Sequence, residues 1–91
     1  METRILKVVA QTEVTKVQTK NGELAKCLIR LKELGNDYSD EYLCPLLGEM
    51  ASRVFAPGQL VAVGLRFSTH ENNGVNYQDI NANEIVLINY K

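Results

Sequence analysis

Lys26, Arg30 and Lys32 fall on alternate positions of one strand-like stretch, with Leu28 between the first two. An extended chain sends alternate side chains to the same side, so these three cations and the leucine share a surface. A row of that kind meets the phosphates of a nucleic-acid strand. Arg66, in a later alternating stretch, extends the row, and Lys16 and Lys20 flank a reverse turn placed to fold over a bound strand. Flat rings for stacking on bases come from Tyr38, Tyr42 and Tyr77, with Phe55 a weaker choice. Such stacking is worth roughly 1–3 kcal/mol per base. Tyr38 leads the set because it sits in a polar segment where an aromatic has no core duty. The candidate nucleic-acid contacts are therefore Lys20, Lys26, Leu28, Arg30, Lys32, Tyr38, Tyr42, Arg66 and Tyr77.

The same residues admit plainer duties. Lysines on a sheet face keep it soluble and block edge-to-edge pairing. Tyr42 and Tyr77 pack equally well as half-buried rim residues. Phe55 and Phe67 fall in register with apolar neighbours and read as core. Leu28 is placed to touch a sugar or base, or a partner subunit.

Catalytic chemistry has little to work with. His70 is the one histidine, it lies beside Glu71, and no cysteine is near it in sequence. One His and two scattered Cys do not make a metal-ligand set. Asp37, Asp40 and Glu41 crowd one loop, which reads as a solvated acidic turn before it reads as a cation site. Neither Asn-Gly pair precedes a helix, so neither is a phosphate-cradling loop. The reading is a non-enzyme without cofactor or metal.

The chain has 91 residues and a net charge of −1. That length makes one small domain over 1–91, with a modest core and a motive to self-associate as a homodimer or homotetramer. Charge is unevenly spread: residues 1–32 carry seven bases and three acids, whereas residues 33–91 carry three bases and eight acids. Such asymmetry places a positive face on a nearly neutral molecule. No run of about 18 apolar residues exists to span a bilayer, and Met1-Glu2-Thr3-Arg4 does not resemble a secretory leader. Cys27 and Cys44 are too far apart for a CxxC motif and read as buried thiols in a cytoplasmic protein.

The elements that must position these residues are strands. Ile5 to Val17 reads as a first strand with an irregularity at Gln11-Thr12-Glu13, of the kind a bulge or bend produces. Asn21-Gly22 and Asn73-Gly74 each lie between alternating apolar runs, the strongest short-range signal for a hairpin with a type I′ turn. Leu24 to Leu34 alternates cleanly, with Ala25, Cys27, Ile29 and Leu31 inward. Gly35 to Glu41 is an exposed loop. Tyr42 to Leu47 is a third strand, and Pro45 confines it to an edge or a bulge. Gly48 to Phe55 has apolar residues at helical spacing and ends at Pro57-Gly58. Leu60 to Thr69 is a fourth strand with Val61, Val63, Leu65 and Phe67 inward. Asn76 to Leu87 is the fifth. Two long hairpins with a short helix between them predict an all-β fold with one short helix, a five-stranded OB-fold barrel. That scaffold commonly binds oligonucleotides or oligosaccharides.

These pieces, in this order, resemble the bacterial single-stranded DNA-binding protein family. The likeness is carried by Thr19-Lys20-Asn21-Gly22-Glu23-Leu24-Ala25 and the alternating strand after it. It continues through Tyr42-Leu43-Cys44-Pro45-Leu46-Leu47-Gly48-Glu49-Met50-Ala51, then Pro57 to Phe67, and closes on Asn81-Ala82-Asn83-Glu84-Ile85-Val86-Leu87. The short, dimeric PriB-like branch of primosomal DNA-binding proteins fits the pattern as well. The resemblance implies binding of single-stranded DNA, with RNA left open, in replication, repair or recombination. This chain departs from the family in having no Trp, and no acidic tip follows Lys91. Those departures imply modest affinity and no role in recruiting repair enzymes. The alternative is an OB-fold assembly subunit that does not bind nucleic acid.

Overall fold

The computed structural model describes residues 2–35 and 38–88. The strands are β1 Glu2–Gln11, β2 Thr15–Thr19, β3 Gly22–Glu33, β4 Glu41–Leu47, β5 Leu60–Asn72 and β6 Val75–Leu87, all antiparallel in their ladders. The sheet runs β2-β3-β1-β5-β6, and β4 pairs with β3. Packing of β4 against β6 closes the sheet on itself, which gives the OB-fold barrel the sequence predicts.

β3 is the hub because it pairs with β1, β2 and β4. The expected first strand is two strands, broken at residues 12–14, which overlaps the irregularity at Gln11-Thr12-Glu13 by two residues. A bulge between Val8 and Ala10 adds curvature to β1 just before the break. β4 has β3 as its one ladder partner, so Pro45, opposite Leu28, leaves no inter-strand donor missing on its other side.

Alternation puts Leu6, Val8, Cys27, Ile29, Leu31, Cys44, Leu46, Val61, Val63, Leu65 and Ile85 inside the barrel, and among the described residues no polar or charged side chain is buried with them. Both thiols are free. Truncating one of these large aliphatic residues costs about 2–5 kcal/mol.

Three expectations are corrected. Register pairs Thr19 with Gly22, so the first turn is Lys20-Asn21 and Gly22 follows it at φ 113°. The second turn is as expected: Asn73 and Gly74 take φ 54° and 82° between Asn72 and Val75. The stretch from Gly48 to Phe55 yields a single 3-10 turn, Gly48–Ser52, before Arg53 goes extended. Eight residues with no side-chain cap at Leu47 do not repay the cost of a helix nucleus. Gln11 instead pins the segment, accepting from the Phe55 amide at 2.9 Å and donating to the Arg53 carbonyl at 2.8 Å. Phe55 is buried as expected, but Val54 is on the surface. Lastly, Phe67 is not core: it is 42% exposed.

The reason for Phe67 is the reach of β1. Among the described residues the β1–β5 ladder reaches Glu2 opposite Leu65, whereas β5 and β6 remain paired out to Asn72 and Val75. Beyond Leu65 these two strands lose β1 as a described partner. Phe67 and Ile80 still meet the barrel mouth, and past them the strands extend as an arm paired only with each other among the described residues. A bulge at Gly64/Leu65 marks the departure point.

Candidate nucleic-acid interface

On the outer face of β3 stand Lys26, Leu28, Arg30 and Lys32, the side opposite to buried Cys27, Ile29 and Leu31. Their neighbours across the β3–β4 ladder are Leu47, Pro45, Leu43 and Glu41 in turn. Leu43 and Leu47 are both exposed, so the face mixes cations with aliphatic side chains, ends at the acid Glu41, and has no aromatic ring among these residues. The Arg30 Nε lies 3.1 Å from the Glu41 carboxylate, which anchors the guanidinium at one end of the row. In water such an exposed pair is weak, about 0–1 kcal/mol, so a phosphate can displace it.

Register also supplies a cation that alternation alone does not reveal. Lys7 is the β1 residue opposite Lys32, and it faces outward because Leu6 and Val8 on either side are buried. Arg66 does not continue the row. It lies past the last β5 residue that pairs with β1, opposite Asn81 on the arm. Lys20 sits in the β2–β3 turn, beyond the Lys26 end of the row. Lys16 pairs with Ala25, on the opposite side of its strand from Lys26.

The tyrosines go to three different places. Tyr38 is 93% exposed in the β3–β4 connection; its neighbours Asn36 and Asp37 lie outside the described residues, as does any acidic site built on Asp37. Tyr42 is at the barrel mouth, not on the outer face. Its hydroxyl donates to Glu33 at 2.9 Å and accepts from Arg4, whose guanidinium carbon lies 5.3 Å above the ring centre. Phe67 meets the same ring edge-on at 6.3 Å. This network of Arg4, Glu33, Tyr42 and Phe67 seals the end of the core where the arm departs. Partial burial, followed by the bond to Glu33, raises the Tyr42 phenol above its usual range. The hydrogen bond to Glu2 does most to raise the Arg4 guanidinium.

Tyr77 is on the arm, opposite His70. The two rings stack at 5.0 Å with an 18° interplanar angle, and His70 Nδ1 lies 2.8 Å from the Asp79 carboxylate. Its sequence neighbours give His70 no partner for catalysis. Its partners are seven and nine residues away across a turn, so only the hairpin register identifies it as half of a ring pair. Among the described residues no group of three or more His, Cys, Asp or Glu side chains gathers to hold a metal ion.

No protein-family model matches the chain, and no curated protein matches it. Among solved structures, the fold is similar to the solution structure of the second OB-fold domain of replication protein A from Methanococcus maripaludis. The TM-score is 0.70 with 19% sequence identity over 98% of this chain and 84% of that one. The comparison supports the OB-fold and does not single out the bacterial family or its PriB-like branch.

Proposed function

We propose that residues 1–91 form a single, non-enzymatic OB-fold domain that binds single-stranded DNA without sequence readout, in replication, repair or recombination. The observation that carries this reading is the outer surface shared by Lys26, Arg30, Lys32 and Lys7, drawn together from two strands by register. Similarity to a replication protein A domain supports the same reading at the level of fold. RNA, which presents the same phosphates, is a competitor to be compared in the assay.

Cations and rings divide between two regions. The β3–β4 face holds phosphates and packs Leu28, Leu43 and Leu47 against sugars. The row ends at Lys32, on the side of the barrel from which the arm leaves, because β1 runs from Lys7 at that point to Glu2 beside Leu65. A strand following the row therefore reaches the arm, where the His70–Tyr77 pair offers ring faces for stacking, and passes the loop that bears Tyr38. Lys20 in the first turn closes over the opposite end. Tyr42, held by Arg4 and Glu33, shapes the barrel mouth and does not stack on bases.

Self-association fits a second surface. Ile5, Ala62 and Val86 lie side by side across β1, β5 and β6 on the outer face, with Ile5 and Val86 exposed. A homodimer or homotetramer covers this apolar strip and leaves the cations open. Replacing Lys26, Arg30 and Lys32 together by Ala separates the two classes of function. Weakened binding of labelled oligothymidine with an unchanged gel-filtration volume supports DNA binding. A changed volume with no effect on oligothymidine supports the assembly subunit.

A further inference from the structure

A groove of about 480 Å³ opens on the outer surface where the chain breaks between β1 and β2. Val17 and Leu28 give it apolar walls, Thr12 and Thr15 line it, and it carries two charged side chains, Glu13 and Lys26. Lys26 and Leu28 belong at once to the groove and to the cation row, so a strand held along the row passes its opening. The groove is built in place: the Thr12 amide donates to the Leu28 carbonyl at 2.9 Å, and the Leu28 amide donates to the Thr12 hydroxyl at 2.9 Å. Those bonds occupy Thr12. The Thr15 hydroxyl points its proton at the Lys26 carbonyl, 3.4 Å away. The Glu13 carboxylate is different, because no described side chain or amide bonds it.

An acid beside a phosphate-binding row weakens that row by repulsion. Its presence is explained if it accepts a proton donor from the occupant. We infer that this groove takes a nucleobase bearing an exocyclic amine, with Glu13 accepting the amine hydrogen while Lys26 holds the adjoining phosphate. Carboxylates accept in this way from the cytosine 4-amino group. A uracil turned the same way presents a carbonyl oxygen to the carboxylate, acceptor against acceptor. This inference rests on the single-stranded DNA reading and adds a base preference to it.

Oligodeoxycytidine and oligodeoxyuridine of equal length isolate the amine, since the rings match in size. Fluorescence anisotropy at neutral pH with the wild-type protein should show the cytidine oligomer binding about fivefold tighter, the effect of one partly solvated bond to a charged acceptor. Glu13→Ala should bring the ratio to one while strengthening uridine binding, because a negative charge has gone. Glu13→Lys should reverse the preference, its ammonium donating to the uracil oxygen. Equal affinities in the wild type, or a ratio unmoved by both substitutions, would overturn the groove assignment and leave DNA binding intact. Failure of both oligomers to bind the wild type would overturn the function itself, and the groove assignment with it.

Discussion

Lys7 of β1 stands directly opposite Lys32 of β3, and both side chains leave the barrel on the same surface. Like charges set opposite each other across an antiparallel ladder oppose folding. In the proposed reading a phosphate lies between them, in competition with Glu41, which faces Lys32 across the β3–β4 ladder. Lys7→Thr should therefore move stability and binding in opposite directions. Urea denaturation should show a gain of about 0.5 kcal/mol, while the affinity for oligothymidine falls. A loss of stability with no change in affinity would show that Lys7 is a packing residue.

The outer part of the arm should contribute to binding and hardly at all to folding, since Ser68 to Asn72 and Val75 to Gln78 are all exposed. Tyr77→Ala removes one ring of the stacked pair, and anisotropy should report a loss of about 1–3 kcal/mol for oligothymidine. Tyr77→Phe keeps the ring and should retain most of the affinity. The urea midpoint of both variants should stay close to wild type.

Alkaline pH tests the barrel interior. Burial pushes the Cys44 thiol from 9.0 up to about 11. The folded state thus keeps its proton where the unfolded chain gives its own up. Stability from this group is complete below pH 9 and declines as pH rises through 11, by about 2 kcal/mol. The Tyr42 phenol, also raised, adds to the decline above 10.0. Urea melts between pH 8 and 11 should show the loss, and Cys44→Ala should flatten its earlier part. The same burial predicts slow reaction with thiol reagents at neutral pH, since the thiolate is the reactive form.

Much of the fold was readable from local pattern. Alternation from Leu24 to Leu34 identifies the inner and outer faces of β3, and Asn73-Gly74 identifies its turn because both residues adopt positive φ. Features set by register were out of reach. Phe67 continues the inward alternation of Val61, Val63 and Leu65, and nothing in its own sequence neighbourhood says that β1 has ended. Lys7 joins the cation row only through pairing with Lys32, twenty-five positions away. The Asn21-Gly22 pair marks a turn correctly but sits one residue late in it, since Gly22 supplies the left-handed residue after a Lys20-Asn21 bend. Likewise His70 has no visible role until the hairpin brings Tyr77 and Asp79 beside it.

Salt dependence of oligothymidine binding tests the central claim most directly. Four phosphate contacts at Lys7, Lys26, Arg30 and Lys32 predict that log Kobs falls against log salt with a slope of roughly −3 for a single strand. The variant lacking Lys26, Arg30 and Lys32 should retain a slope of about −0.7. A wild-type slope near zero, or an equal slope in the two proteins, would contradict the account.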